Sequence, residues 1–177
     1  RLRGNDDKTI FFKGLLTFHI IMAIPVKKIS AHNALLEVLK QVTDYLKQQY
    51  IEDPKLNAEL LMCHVLECSR ANLYTDYDRR LIDDEIDSIW AIVKRRVLRE
   101  PLQYITGTQG FWSLDFKVNR HVLIPRPETE ILIDEIIKLN TQYSTLNTIL
   151  DLCTGSGCIA VTLAKELPDA FVYAADI

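Results

Sequence analysis

Four cysteines are all this sequence offers toward a disulfide or a thiolate metal site. They fall at Cys63, Cys68, Cys153 and Cys158, which makes no C-x-x-C pair, and no histidine partners them at zinc-ligand spacing. They read as small, reduced, buried apolar residues, and no metal is expected. Basic excess is also missing. Lys and Arg total 21 against 24 Asp and Glu, for a net charge of −3 and an isoelectric point near 5.8. That removes the global positive field of a nucleic-acid binder, and no sequence-specific nucleic-acid contact is expected. Long apolar runs are absent as well. The stretch "RLRGNDDKTIFFKGLLTFHIIMAIP" is interrupted by Lys13, Gly14 and His19 and is too short to span a bilayer. Its basic start and short apolar middle are parts of a signal peptide. Met22, however, reads as a natural start, with residues 1–21 an extension. Nothing downstream has secreted character, so a cytoplasmic location without membrane contact is expected. There is no internal repeat and no low-complexity segment.

What is present is ordinary globular material, 48% hydrophobic and 25% charged, enough to build a core. Residues 30–50 carry Leu35, Leu36, Leu39, Val42, Tyr45 and Leu46 at helical spacing, with Ser30 as N-cap. A second helix starts at Asp53 as cap with Pro54 in the first turn. Its apolar positions are Leu56, Leu60, Leu61 and Val65, with His64 beside them as a boundary histidine. After a loop over "ANLYTDYDRRL", a third helix is acidic at its start and basic at its end, as the helix dipole favours. Its apolar positions are Ile86, Ile89, Trp90, Val93 and Val97. The run Lys94, Arg95, Arg96 and Arg99 reads as a solvated helix end, or as a contact for phosphate or an acidic partner.

Pro101 ends that helix and the pattern changes. "LQYITGTQGFWSLDFKVNRHVLIPRP" is rich in β-branched and aromatic residues, with Gly107 and Gly110 as turn candidates. It predicts a β-hairpin linker. "RPETEILIDEIIKLN" restarts helix near Pro127, with Glu128 and Glu130 in the first turn. Ile131, Leu132, Ile136 and Leu139 form its stripe, backed by Asp134 and Glu135. "TILDLC", "GCIAVTLAKEL" and "AFVYAAD" then read as strand, helix and strand, a βαβ unit opening a parallel sheet. The fold class is therefore α/β, with a small helical domain first.

Gly155 and Gly157 sit between that strand and helix, where backbone amides point outward and a missing Cβ lets a ligand approach. Asp176 ends the next strand 19 residues after Gly157, the spacing of an acid that binds the ribose of an adenosine ligand. Gly155-x-Gly157-x-x-Ala160 also fits the relaxed dinucleotide pattern. Against that, Asp151 at the strand end would repel a pyrophosphate and could take the ammonium of an amino-acid-bearing cofactor. Charge thus favours S-adenosyl-L-methionine over NAD; a glycine turn with no ligand is the third possibility.

The stretch "LDLCTGSGCIAVTLAKELPDAFVYAADI" resembles the first cofactor motif of class I methyltransferases. "EPLQYITG", "FWSLDF" and "LIPRPETE" resemble the segment preceding it in the release-factor glutamine methyltransferases, the HemK/PrmC family. The resemblance covers residues 22–177. It implies a substrate-binding helical domain over 22–100, the hairpin linker over 101–125, and the first part of a Rossmann-like, truncated methyltransferase domain over 126–177. It also implies that Cys153, Thr154, Gly155, Ser156 and Gly157 line the cofactor through backbone groups and that Asp176 binds the ribose. Phe111, Arg126, Pro127 and Glu130 are placed near the cofactor and substrate mouth; Arg126 and Glu130 read equally well as a helix-start charge pair. The first position of the family's turn is often Gly. Cys153 stands there instead, which is tolerable if its φ is negative. The family's Asn-Pro-Pro-Tyr motif, which holds the glutamine amide, does not occur in the sequence. The chain alone is therefore expected to be inactive, its catalytic residues lying beyond Ile177. The implied activity is methyl transfer to the glutamine of the Gly-Gly-Gln motif of peptide chain release factors. A ribosomal-protein glutamine methyltransferase and a non-catalytic partner-binding module are the alternatives.

Overall fold

The computed structural model describes residues 34–76, 78–143 and 147–177. The N-cap expected at Ser30, the start at Met22 and the extension over 1–21 lie outside them. Among the described residues the order is α1 (Leu35–Gln48), α2 (Pro54–Leu66), α3 (Asn72–Thr75), α4 (Asp83–Val97), α5 (Leu102–Thr106), β1 (Thr108–Phe111), β2 (Leu114–Lys117), α6 (Thr129–Tyr143), β3 (Thr148–Leu152), α7 (Cys158–Glu166) and β4 (Phe171–Ala175). No helix among them is long and apolar enough to cross a membrane.

The helical part follows the apolar periodicity at α1 and α4. α1 buries Leu35, Val38, Leu39, Val42 and Leu46, and α4 buries Ile86, Ile89, Val93 and Val97. Trp90 meets Tyr45 edge-on, with ring centroids 5.4 Å apart. At α2 the expected face holds only in part: Leu61 is buried, with Leu60 and Val65 half-buried. Asn57, Ala58, Glu59, Leu61 and Met62 are buried, whereas Leu56 and His64 are exposed. The inner face of α2 is partly polar, and its polar groups have partners. Asn57 Nδ2 donates to the Glu52 and Asp53 carbonyls at 2.9 and 3.1 Å, and its Oδ1 accepts from Arg96 Nε at 2.7 Å. Glu59, 2% exposed, accepts from Arg70 Nε at 2.9 Å, from Arg70 Nη2 and from the Tyr74 hydroxyl. Asp53 occupies the N-cap position but makes no side-chain cap; it sits at φ 46°, and its carbonyl is what serves the helix.

In the basic run ending α4, Lys94, Arg95 and Arg99 stay exposed, as a solvated helix end would, and only Arg96 is half-buried. Besides Asn57, Arg96 reaches the Glu100 carbonyl at 3.1 Å. Arg99 donates to the Tyr50 and Gln49 carbonyls, both at 3.1 Å, and so ties down the chain leaving α1. Arg95 pairs bidentately with Glu100, both bonds 2.7 Å. These arginines therefore act within the chain.

Helix also continues past Pro101. α5, in a stretch expected to be linker, buries Ile105 and ends at Gly107 in the left-handed region, φ 76°. The hairpin follows; of the two turn candidates Gly107 makes the turn that leads into it and Gly110 makes none. Gly110 lies within β1 opposite Asp115. The hairpin turn is Trp112–Ser113, with φ 49° and 58°, the pair of positive values that a two-residue hairpin turn needs. Phe111 and Phe116 stack edge-to-face at 6.1 Å and join Ile133, Cys158, Leu163 and Leu167 in a second core. Ile133 is the buried residue of α6; Ile131, Leu132 and Leu139 are exposed. Apolar residues surround α6, so periodicity did not single out the face that packs.

β3 and β4 are parallel neighbours in register Thr148↔Phe171 to Leu152↔Ala175, joined by α7. The strand–helix–strand order read from the sequence holds. Ile149 and Val172, paired across the strands, pack on the second core, while Leu150, Leu152, Phe171 and Tyr173 face the other way and are exposed.

Glu59 gives a pH prediction. Burial raises its pKa, but the hydrogen bonds from Tyr74 and Arg70 and the charges of Arg70 and Lys55 outweigh burial and hold it below the usual value of 4.5. A lowered folded pKa means its contribution is present above pH 4.5 and is lost as pH falls through the lowered value. Glu59→Ala should cost about 1–3 kcal/mol at neutral pH, because it strands the Tyr74 and Arg70 donors. The difference from wild type should shrink in urea denaturation at acid pH. A difference that stays constant between neutral and acid pH would refute it.

Candidate functional site

The turn from Cys153 to Gly157 is built from left-handed residues. Cys153 has φ 61°, Gly155 57° and Gly157 77°. The glycines adopt this freely; a cysteine does not, because its Cβ crowds the following carbonyl. The negative φ expected at Cys153 is therefore overturned: the position asks for glycine and holds a strained cysteine. Its side chain is exposed, unlike that of Cys158, and all four cysteines are free thiols.

Hydrogen bonds fix the turn between the two strands. The Thr154 amide donates to the Ala175 carbonyl at the end of β4, 3.1 Å, and the Gly157 amide donates to the Thr154 carbonyl, 2.9 Å. The Gly155 amide donates to Asp176 Oδ2 at 2.5 Å. Three of the amides expected to line a cofactor are thus engaged within the protein. Ser156, half-buried, completes the turn. No atom stands within 4 Å of where a Cβ on Gly155 would lie, so the turn opens onto space a ligand could fill.

Two carboxylates flank this opening. Asp151 Oδ2 accepts from the Thr154 hydroxyl at 2.6 Å. Asp176 also accepts from the Ile177 amide at 2.8 Å. Those two backbone donors, Ile177 and then Gly155, hold the exposed Asp176 carboxyl below its usual range. The structure thereby links Asp151 with Thr154 and Asp176 with Gly155. The role of the Ala175 carbonyl was not legible beforehand, because a backbone acceptor leaves no trace in residue identity.

The remaining expected residues lie elsewhere. Phe111 is 2% exposed and part of the second core. Glu130 Oε1 accepts from the Trp112 amide at 2.8 Å and pins the hairpin turn, whose left-handed residues need an outside anchor. It shares a cavity with Ser113, Lys165 and Glu166. That is the far end of α7 from the glycine turn, a helix length of about 13 Å. Arg126 and Pro127 border a cleft of about 420 Å³ with Gln103, Tyr104, Gln109 and Leu123. The residues gathered around the glycine turn are 151–157 and Asp176. Among the described residues no cluster could hold a metal ion.

Residues 37–107 match the family described as the PrmC N-terminal domain. Over 148 residues the chain is 40% identical to the release factor glutamine methyltransferase of Chlorobaculum tepidum, covering 81% of this chain and 50% of that protein. It is 46% identical over 143 residues to the enzyme of that name from Koribacter versatilis, covering 78% and 51%. It is 38% identical over 161 residues to a bifunctional methyltransferase of Rickettsia typhi, covering 81% and 31%. The chain spans about half the length of the release factor glutamine methyltransferases it matches.

Cys153→Gly should stabilise the chain by about 1 kcal/mol, since relief of left-handed strain exceeds the extra chain entropy of glycine. Urea denaturation checks this; a less stable variant would show that the thiol makes contacts that outweigh the strain.

Proposed function

We propose, from its similarity to release factor glutamine methyltransferases over the half of them that it spans, that the chain is part of such an enzyme and that the whole protein methylates a glutamine side chain using S-adenosylmethionine. The proposed substrate is the glutamine of the Gly-Gly-Gln motif of peptide chain release factors, which would place the protein in the cytoplasm. The observation that carries this is the open glycine turn flanked by Asp151 and Asp176, in a chain whose relatives bear that name.

The residues present fit the cofactor by charge and space. Asp151 would meet the ammonium of the amino-acid end, where the same charge would repel a pyrophosphate. Asp176, at the end of β4, would accept from the ribose hydroxyls, which must compete with the Gly155 and Ile177 amides that it now holds. Gly155, lacking a Cβ, would let the ligand lie against the turn. When bound, S-adenosylmethionine supplies a methyl group made electrophilic by its sulfonium sulfur. Amide nitrogen is a weak nucleophile, its lone pair being delocalised, so orientation and acceptors for developing charge matter most. The family's acceptors for that amide lie in the Asn-Pro-Pro-Tyr motif, which is not in this sequence. We read α6, β3, α7 and β4 as the opening of a Rossmann-like sheet, and the helical part as a surface that holds the release factor.

The full-length protein, given methyl-labelled S-adenosylmethionine, should label a release factor and should not label one whose motif glutamine is replaced by alanine. Label on a ribosomal protein instead would move the substrate assignment to the sibling enzymes. Absence of label on both would favour a module that binds partners without chemistry.

A further inference from the structure

We infer that Thr154 is a positioning residue: its hydroxyl aims the Asp151 carboxylate at the amino-acid end of the cofactor. This rests on the S-adenosylmethionine reading and adds what sets the direction of the charge. A carboxylate can only accept, so in the 2.6 Å contact the Thr154 hydroxyl is the donor and Asp151 Oδ2 the acceptor. That separation is in the range of charge-assisted O–H···O bonds. With Oδ2 held, Oδ1 is the oxygen to meet an ammonium.

Thr154 is suited to this because it is itself fixed on both sides. Its amide is bound to the Ala175 carbonyl at 3.1 Å, and its carbonyl receives the Gly157 amide at 2.9 Å. Its Cα is therefore set by the end of β4 on one side and by the start of α7 on the other. The hydroxyl inherits that position and passes it to Asp151, which would otherwise sample several rotamers before binding. Holding the carboxylate beforehand reduces the ordering that a ligand must impose. The same bond is of no use to a ligand without an ammonium, and this separates aiming from general bracing of the loop.

The test compares two ligands on the full-length protein. S-adenosylhomocysteine carries the amino-acid end; 5′-methylthioadenosine keeps the adenosine and the thioether and lacks it. Calorimetric titration of wild type, Thr154→Val and Thr154→Ser reads the dissociation constants, with thermal melts to check folding. Thr154→Val should weaken S-adenosylhomocysteine about tenfold, the size expected for a hydrogen bond to a charged group. It should leave methylthioadenosine unchanged, and Thr154→Ser should restore the wild-type value. Thr154→Ala, which also lacks the hydroxyl, replaces the valine variant if the latter does not fold. Equal weakening of both ligands, or unchanged binding of S-adenosylhomocysteine, would overturn the inference. Failure of the wild type to bind either ligand would overturn the cofactor assignment itself, and the inference with it.

Discussion

The hydrogen bond from the Thr154 amide to the Ala175 carbonyl joins the turn after one strand to the end of the next. The candidate site depends on that junction. It brings Asp151 and Asp176, 25 positions apart in sequence, to either side of the same glycine turn. The turn can close there only because Cys153, Gly155 and Gly157 accept left-handed backbone. Two of them do so without strain, and the third does so against its own Cβ. Parallel pairing of β3 and β4 sets the register; the turn converts the register into a pair of flanking charges.

The helical part obeys a different constraint, the need to satisfy polar groups inside a helix bundle. Asn57 and Glu59 lie on the buried face of α2, and each draws at least one partner from outside that helix. Arg96 comes from α4, Tyr74 from α3, and Arg70 from the segment before it. A buried carboxylate or amide without such partners would be destabilising by several kcal/mol. Of the arginines that end α4, Arg96 and Arg99 also bind backbone carbonyls or Asn57 within the chain.

Where apolar residues form one stripe, the sequence was readable. α1 and α4 packed as their spacing implied, with Leu36 the exception, and the strand–glycine turn–helix–strand order of residues 148–175 holds with each element a residue or so shorter at its ends. Where the stripe was doubled or polar, it was not readable. α6 carries apolar side chains around most of its circumference, and burial of Ile133 was settled by the hairpin that lies against it. At α2, glutamate and asparagine went inside because remote arginines and a tyrosine met them there. The hairpin turn passed over the available glycine at 110 and used Trp112–Ser113, where the Glu130 carboxylate receives the Trp112 amide. Glu130 and Phe111 were expected at a ligand mouth; one anchors that turn and the other fills the core beneath it.

By itself the sequence determined the α/β order of elements, the glycine turn, the identity of the two acids around it and the resemblance to glutamine methyltransferases, because these are local spacings and local chemistry. Tertiary structure alone decided which turn amides are engaged, that Cys153 is left-handed, that Glu59 and Asn57 go inside, and that Arg96 meets Asn57. Each of those facts needs a partner distant in sequence or a backbone conformation without a side-chain signature, and neither appears in the spacing of residues along the chain.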